Sequence, residues 1–319
     1  MAALMPKIRT AILILLGCAT MCLQDHAQTV TAASPQSESP PTEASSDAPL
    51  PDVVAMMHDV EINQRKAESI EKDYIYHSVE TEQAVDGHGQ TKKTTVNEFD
   101  HYWVNGVPVR RMVSKNGKLL SAEEMAKEDE RIDKRVSKAR EKRDKADTAG
   151  KETDPRGQEE ITVSRLLELG AFSNARRVKL NGRDTIAVDY AGDPKAKTRN
   201  RPEEVIRDLV GTAWIDEHDR VLVRVEGHFV NSFKVGGGLV VNVQKDTRFA
   251  MEQTKVNDEV WLPAKIDGQG AARVFLFFNF NGSVRAVESD YRKFRATSTI
   301  LPGATRTDTL PVPEGSVQP

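Results

Sequence analysis

Histidine is the side chain best suited to moving protons near neutral pH, and His58, His77, His88, His101, His218 and His228 are scattered along this chain. None belongs to a His-Glu-x-x-His pair, the spacing that sets two imidazoles on one helix face for zinc. Asp100-His101-Tyr102 places an acid beside an imidazole. Neighbours on a strand point to opposite faces, however, so these two cannot act directly as a dyad. Gly236-Gly237-Gly238 lacks the Lys-Ser or Lys-Thr that a phosphate loop needs and reads as a turn or bulge. No Gly-x-Ser-x-Gly elbow occurs. Acidic residues are abundant and often adjacent, and those that gather on one charged helix are accounted for by solvation. The residues therefore predict no catalysis, no metal and no cofactor.

Both cysteines, Cys18 and Cys22, lie in the first 27 residues. That segment reads as a secretory signal: Lys7 and Arg9 precede an apolar stretch opening at Ala11-Ile-Leu-Ile-Leu-Leu16, and the small residue Ala27 precedes Gln28. The apolar run is shorter than the roughly 20 residues of a spanning helix. Cleavage after Ala27 would leave a mature chain without thiols. Leu15-Leu16-Gly17-Cys18 also resembles the lipobox of bacterial lipoproteins, which implies an acylated Cys18 and membrane attachment through its chains. Either leader predicts a periplasmic or secreted protein. A net charge of -3 over 319 residues gives no reason to expect nucleic acid as a partner.

The elements that would position any site follow in order. Residues 28–51 are rich in Ser, Pro, Ala and Thr and predict a disordered linker. Val53, Met56, Met57, Val60, Ala67 and Ile70 recur at helical spacing, with Asp52 placed to cap them. Alternating runs at Tyr74–Thr81, Lys93–Val104 and Val107–Ser114 predict a meander turning at Asn105-Gly106. Ser121 and Glu124 form a capping box, opening a helix whose mixed charges predict a solvated insertion over 121–158. Ile161–Leu169 reads as a short helix stopped by Gly170 in the left-handed conformation. Hairpins follow at Phe172–Tyr190, turning at Asn181-Gly182, and at Thr212–Val225, turning at Asp216–Asp219. Between them Pro202–Leu209 reads as a short helix with proline in its first turn. Later strands are predicted near Gly238–Gln244, Thr247–Gln253, Val260–Ile266, Ala271–Asn279 and Val284–Arg295, with turns at Lys255–Asp258 and Asn281-Gly282. Residues 297–319 predict a disordered tail.

The fold class that results is mainly β with some α. About ten antiparallel strands would curl into an unclosed half-barrel, because each strand adds right-handed twist. The helices would serve as lid and plug, and one domain would span 52–296. In the run Val221–Glu226, alternation places Val221, Val223 and Val225 on one face. With Trp214, Phe275, Phe277 and the helical Met56, Met57 and Val60, these are the candidate lining of a hydrophobic cavity.

Three stretches carry a family resemblance: Gly211-Thr-Ala-Trp214-Ile215-Asp216, Val221-Leu-Val-Arg-Val-Glu226, and Asn257-Asp-Glu-Val-Trp261-Leu-Pro263. Following an amphipathic helix and a meander, they resemble the LolA-like superfamily of outer-membrane lipoprotein-sorting and related periplasmic proteins. The resemblance spans Asp52 to Phe294 apart from the charged insertion. It implies an unclosed barrel with helices as a lid over a hydrophobic cavity, used by the carriers for acyl chains. No carrier-specific basic residue matches a position here. The expected function is thus binding of a lipid, a lipoprotein acyl chain or another hydrophobic ligand. The alternatives are an envelope protein-interaction module working through the charged helix, and, third, a hydrolase.

Overall fold

The computed structural model describes residues 42–43, 49–150, 153–158, 161–235, 241–274 and 278–294. Cys18, the glycine triplet at 236–238, Phe275, Phe277 and the tail lie outside the described residues. The elements in chain order are β1 (Thr42–Glu43), α1 (Val53–Glu71), β2 (Tyr74–Val85), β3 (Thr91–Val104), β4 (Val107–Lys115), β5 (Lys118–Leu119) and α2 (Ala122–Thr148). Then come α3 (Val163–Leu169), β6 (Gly170–Leu180), β7 (Arg183–Gly192), α4 (Arg201–Arg207), β8 (Leu209–Asp216) and β9 (Leu222–Phe229). The chain continues through β10 (Phe233–Val235), β11 (Val241–Val243), β12 (Arg248–Val256), β13 (Val260–Val274) and β14 (Phe278–Lys293).

All the strands join one antiparallel sheet with the order β1-β6-β7-β8-β9-β12-β13-β14-β2-β3-β4-β5, while β11 joins beside β13 and carries β10. The end strands β1 and β5 do not meet, so the curved sheet is an unclosed half-barrel. Among the described residues its 14 strands exceed the predicted ten partly because β1, β5, β10 and β11 contain only two or three residues each. Asn105, Asn116 and Asn181 adopt positive φ, as Asn-Gly turns between paired strands require.

Two local expectations are corrected. Asn281-Gly282 is not a turn but lies inside β14, where Gly282 pairs with Gly270 on one side and Ala84 on the other. A Cβ at Gly282 would stand 1.8 Å from the Gln83 carbonyl oxygen, so glycine is there for close backbone approach. Gly170 does end α3, but in extended rather than left-handed backbone. Its missing Cβ leaves room for the Ala191 carbonyl oxygen, which would otherwise be 2.4 Å away.

One face of the sheet is covered. α1, capped by Asp52 accepting from the Ala55 N–H, lies on it together with α3 and α4. Met56, Met57 and Val60 pack there with Leu166, Ile186, Ile215, Leu222 and Met251. Arg165 on α3 donates to Glu203 on α4 through both Nε (2.9 Å) and Nη2 (2.6 Å), locking the two short helices together.

The charged helix α2 keeps most of its side chains exposed, as its mixed charge predicts, but it is not free of the sheet. Ile132, Val136 and Ala139 are buried against Val107 and Val109 of β4. Its polar side chains also satisfy the sheet's edge. Glu128 accepts from the Met112 N–H at 3.0 Å, Arg131 donates to the Arg110 carbonyl, and Arg143 donates to the carbonyls of Asn105 and Gly106. An exposed strand edge invites pairing with other chains, and covering it with a helix removes that hazard.

Candidate functional site

The covered face is divided in two. Its apolar half contains Met56, Met57 and Val60, which are only 1–3% exposed and leave their surfaces filled by core neighbours. Farther along α1, at the same helical spacing, the buried residues become Gln64 and Glu68. The sheet changes with them. Ser78 and Glu80 of β2, Asn97 of β3, Ser114 of β4 and Glu288 of β14 are all buried. In β2 the alternation is inverted relative to hydropathy, because Glu80 is inside and Val79 outside.

This polar half holds His101, bonded through Nε2 to the Ser78 hydroxyl at 2.8 Å and stacked on Tyr76 with ring centroids 4.6 Å apart. Desolvation, reinforced by the positive charges of Arg110 and Arg156, pushes the imidazole down to about 3, so it is neutral. Arg110 pairs with Glu80 at 3.0 Å. Burial pushes Glu288 up to about 7, with the Glu80 charge adding to the effect. The side-chain atoms Gln64 Nε2, Asn97 Oδ1 and Glu288 Oε2 are buried without hydrogen-bond partners among the described residues. Asp100 bonds His77 at 3.0 Å rather than its neighbour His101, as strand geometry requires. A serine–histidine pair is a start towards nucleophilic catalysis, but that chemistry needs substrate access and a group orienting the base. Ser78 is 2% exposed, and among the described residues no carboxylate bonds the other nitrogen of His101. Sequence reading passed over this cluster because a strand of alternating polar and apolar residues normally turns its polar side to water.

The opposite face is open and carries a trough of about 1150 Å³. It is lined by side chains from β6, β7, β8, β9, β12, β13, β14 and β2, and a second hollow of about 720 Å³ adjoins it. Along one cross-strand line Asp189 accepts from Arg176 (3.0 Å) and Thr212 (2.8 Å), Arg224 pairs with Glu226 and Glu252, and Arg285 pairs with Asp267 at 2.6 Å.

The predicted lining residues are split between the faces. Trp214, Val221 and Val223 gather on the open side with Val178, Leu180, Ala187 and Trp261. Val225 packs against the covered core, where Leu222 is almost fully buried. A β-bulge is the cause: Trp214 pairs with Arg224 while Ile215 pairs with Leu222, leaving Val223 as the extra residue. One inserted residue reverses the alternation beyond it. The expectation of a common face for Val221, Val223 and Val225 is thereby overturned.

The turn of this hairpin is tightly held. Asp216 accepts from the backbone N–H groups of His218 and Asp219 and from Arg183 Nε. Asp219 accepts from Trp261 Nε1 at 2.8 Å and pairs with Lys255 at 2.9 Å. Asp216, His218 and Asp219 are close enough to hold a cation, but Arg183 and Lys255 already neutralise the carboxylates. Though partial burial opposes it, hydrogen bonds from His218, Lys255 and Trp261 hold the Asp219 carboxyl far below the usual range. Its stabilisation is therefore complete above the ordinary carboxylate pKa near 4 and fades as pH falls below it. Asp219→Ala should cost about 2 kcal/mol at pH 7, with a smaller penalty at pH 3, as read from urea melts.

Together these features define an unclosed antiparallel half-barrel, helix-covered on one face and open on the other. No family model matches the chain, and no curated protein matches it. Among solved structures it is similar to a proposed outer membrane lipoprotein-sorting protein domain from Vibrio parahaemolyticus, at 12% identity and a TM-score of 0.32, covering 76% of this chain and 93% of that one. It is also similar to a DUF1329 family protein from Desulfovibrio piger, at 10% identity and a TM-score of 0.31, covering 77% and 95%. A third likeness is to the Pseudomonas aeruginosa MucA/MucB complex structure, at 8% identity and a TM-score of 0.22, covering 74% and 99%. Among the described residues no helix is long and apolar enough to cross a membrane.

Proposed function

We propose that the protein is a non-catalytic binding protein of the cell envelope that takes its ligand in the open trough. One contrast carries this reading. The residues best placed to line an apolar cavity, Met56, Met57 and Val60, are packed into the core, whereas the trough of about 1150 Å³ is open and sets polar and charged side chains such as Asp189, Thr212, Arg248 and Gln269 among apolar surface. Residues 1–27 supply the envelope address as a cleaved signal or, through Cys18, as a lipid anchor. The test is native mass spectrometry of the mature protein from its own envelope, wild type beside Thr212→Trp, which sets a bulky ring into the middle of the trough. A stoichiometric adduct that survives lipid extraction and disappears in the variant is expected. A phospholipid or acylated-peptide adduct unaffected by the variant would overturn the trough.

That outcome belongs to a second reading, in which a lipid or lipoprotein acyl chain enters beneath α1. It is favoured by the methionine pair, whose unbranched side chains repack easily, and by the polar contacts that replace apolar ones along the later half of α1. Opening would expose Met56 and Met57, and each ligand methylene buried in exchange would contribute about 0.8 kcal/mol.

A further inference from the structure

The trough contains one cross-strand row that differs from its neighbours. Strand register places His228 of β9 opposite Arg248 of β12, Arg248 opposite Gln269 of β13, Gln269 opposite Ser283 of β14, and Ser283 opposite Gln83 of β2. All five line the trough, and the last four also line the adjoining hollow, so the row runs along the boundary of the two depressions. Arg248, Gln269 and Gln83 are exposed, and His228 and Ser283 are half-buried. None of the five side chains has a hydrogen-bond or ion-pair partner among the described residues.

The next row is the opposite in character. There Asp189, Glu226 and Asp267 are each bonded to an arginine, with Glu226 sharing Arg224 with Glu252, so the acidic groups of that row are already engaged. What remains uncompensated across the boundary is the permanent positive charge of Arg248, with the His228 imidazole beside it. Two amides and a hydroxyl complete the row, and each offers both a donor and an acceptor. Neighbouring strands lie about 4.8 Å apart, so five consecutive positions span roughly 19 Å. An extended peptide rising about 3.3 Å per residue crosses that distance in about six residues.

We propose that this row binds an extended acidic polypeptide segment, with a carboxylate held by Arg248 and His228 and the peptide groups met by Gln269, Ser283 and Gln83. Arginine matches a carboxylate with two parallel N–H donors. The glutamine amides reproduce the donor–acceptor pair of the peptide group itself. This inference rests on the reading of the trough as the binding face.

The test uses the full mature chain and a fluorescein-labelled hexaglutamate, with hexagalacturonate as the saccharide carrier of the same carboxylate. Expected are saturable binding of hexaglutamate that weakens with salt, a loss of at least tenfold in Arg248→Gln, and no change in Lys134→Gln on the far surface of α2. Both variants alter exposed side chains, and matching thermal melts show that each is folded. Preference for hexagalacturonate would overturn the polypeptide occupant. Binding of neither probe would overturn the row as a carboxylate site. Hexaglutamate binding weakened by Thr212→Trp but untouched by Arg248→Gln would overturn the row and leave the trough standing. Binding insensitive to both would overturn the row and the trough reading together.

Discussion

Arg165→Ala should destabilise the protein by about 3 kcal/mol, because it strands a carboxylate that folding has already taken out of water. Glu203 is 3% exposed, and its two oxygens are held by Arg165 and by the Arg199 N–H. The Arg165 hydrogen bonds, aided by the Arg199 N–H and both charges, hold the Glu203 carboxyl below the usual range despite burial. The sign follows from that direction. Stabilisation from the pair is present above the ordinary carboxylate pKa and is lost as pH falls through the depressed one. Urea titrations of wild type and variant should therefore differ most at pH 7 and converge towards pH 2. The double variant Arg165→Met with Glu203→Leu should recover much of the loss, since replacing a buried pair by apolar side chains is often close to neutral. An equal loss in the double variant would show instead that the α3–α4 contact depends on the charges themselves.

The second large effect runs in the opposite direction. Glu288→Gln should stabilise the protein by roughly 2 kcal/mol at pH 8. Glu288 is buried, its Oε2 has no partner among the described residues, and its pKa is pushed from 4.5 to about 7. The folded chain thus holds a proton that the unfolded chain releases. Stability must fall as pH rises from about 4.5 to 7, then level off with the full penalty in place. Glutamine keeps the shape and removes the ionisation, so its gain should vanish below pH 4. A chemical-denaturation series in half-unit pH steps would measure this directly, and a flat difference across the range would rule out Glu288 as the titrating group.

What the sequence disclosed depended on the range of the interaction involved. Turns were legible at Asn105-Gly106 and Asn181-Gly182 because positive φ is a property of one or two residues. The capping box at Ser121 and Glu124 was legible for the same reason, and both of its hydrogen bonds form. Facing was less readable. Val223 looks like any other valine in an alternating run, and only the partner strand reveals that it is the bulged residue. Asn281-Gly282 has the composition of a turn, yet its glycine answers a neighbour nearly two hundred positions away in sequence, at Gln83. The inward polar stripe at Ser78 and Glu80 was invisible for a related cause. Its burial is set by α1 and β14, and neither imposes anything on the local hydropathy of β2. The half-barrel could be read from a sum of local signals. The trough could not, because its lining is assembled by register across eight strands.

The strand order also says something about how the chain reaches this state. Apart from the two-residue β1, which pairs with β6, neighbouring strands in the sheet are close in sequence until β14 joins β2 through ten paired positions that link residues 282–293 with 74–84. Non-local pairing of this kind is slow, because loop closure must precede any gain from contact. The meander β2–β5 can form early, with α2 already laid along its β4 edge, and the region β6–β14 can build as a second piece. Until the two are joined, each displays a long bare strand: β2 on the first, β14 on the second. The seam between β2 and β14 is thus where assembly is completed, and where a chain emerging into a crowded compartment is most open to pairing with a copy of itself.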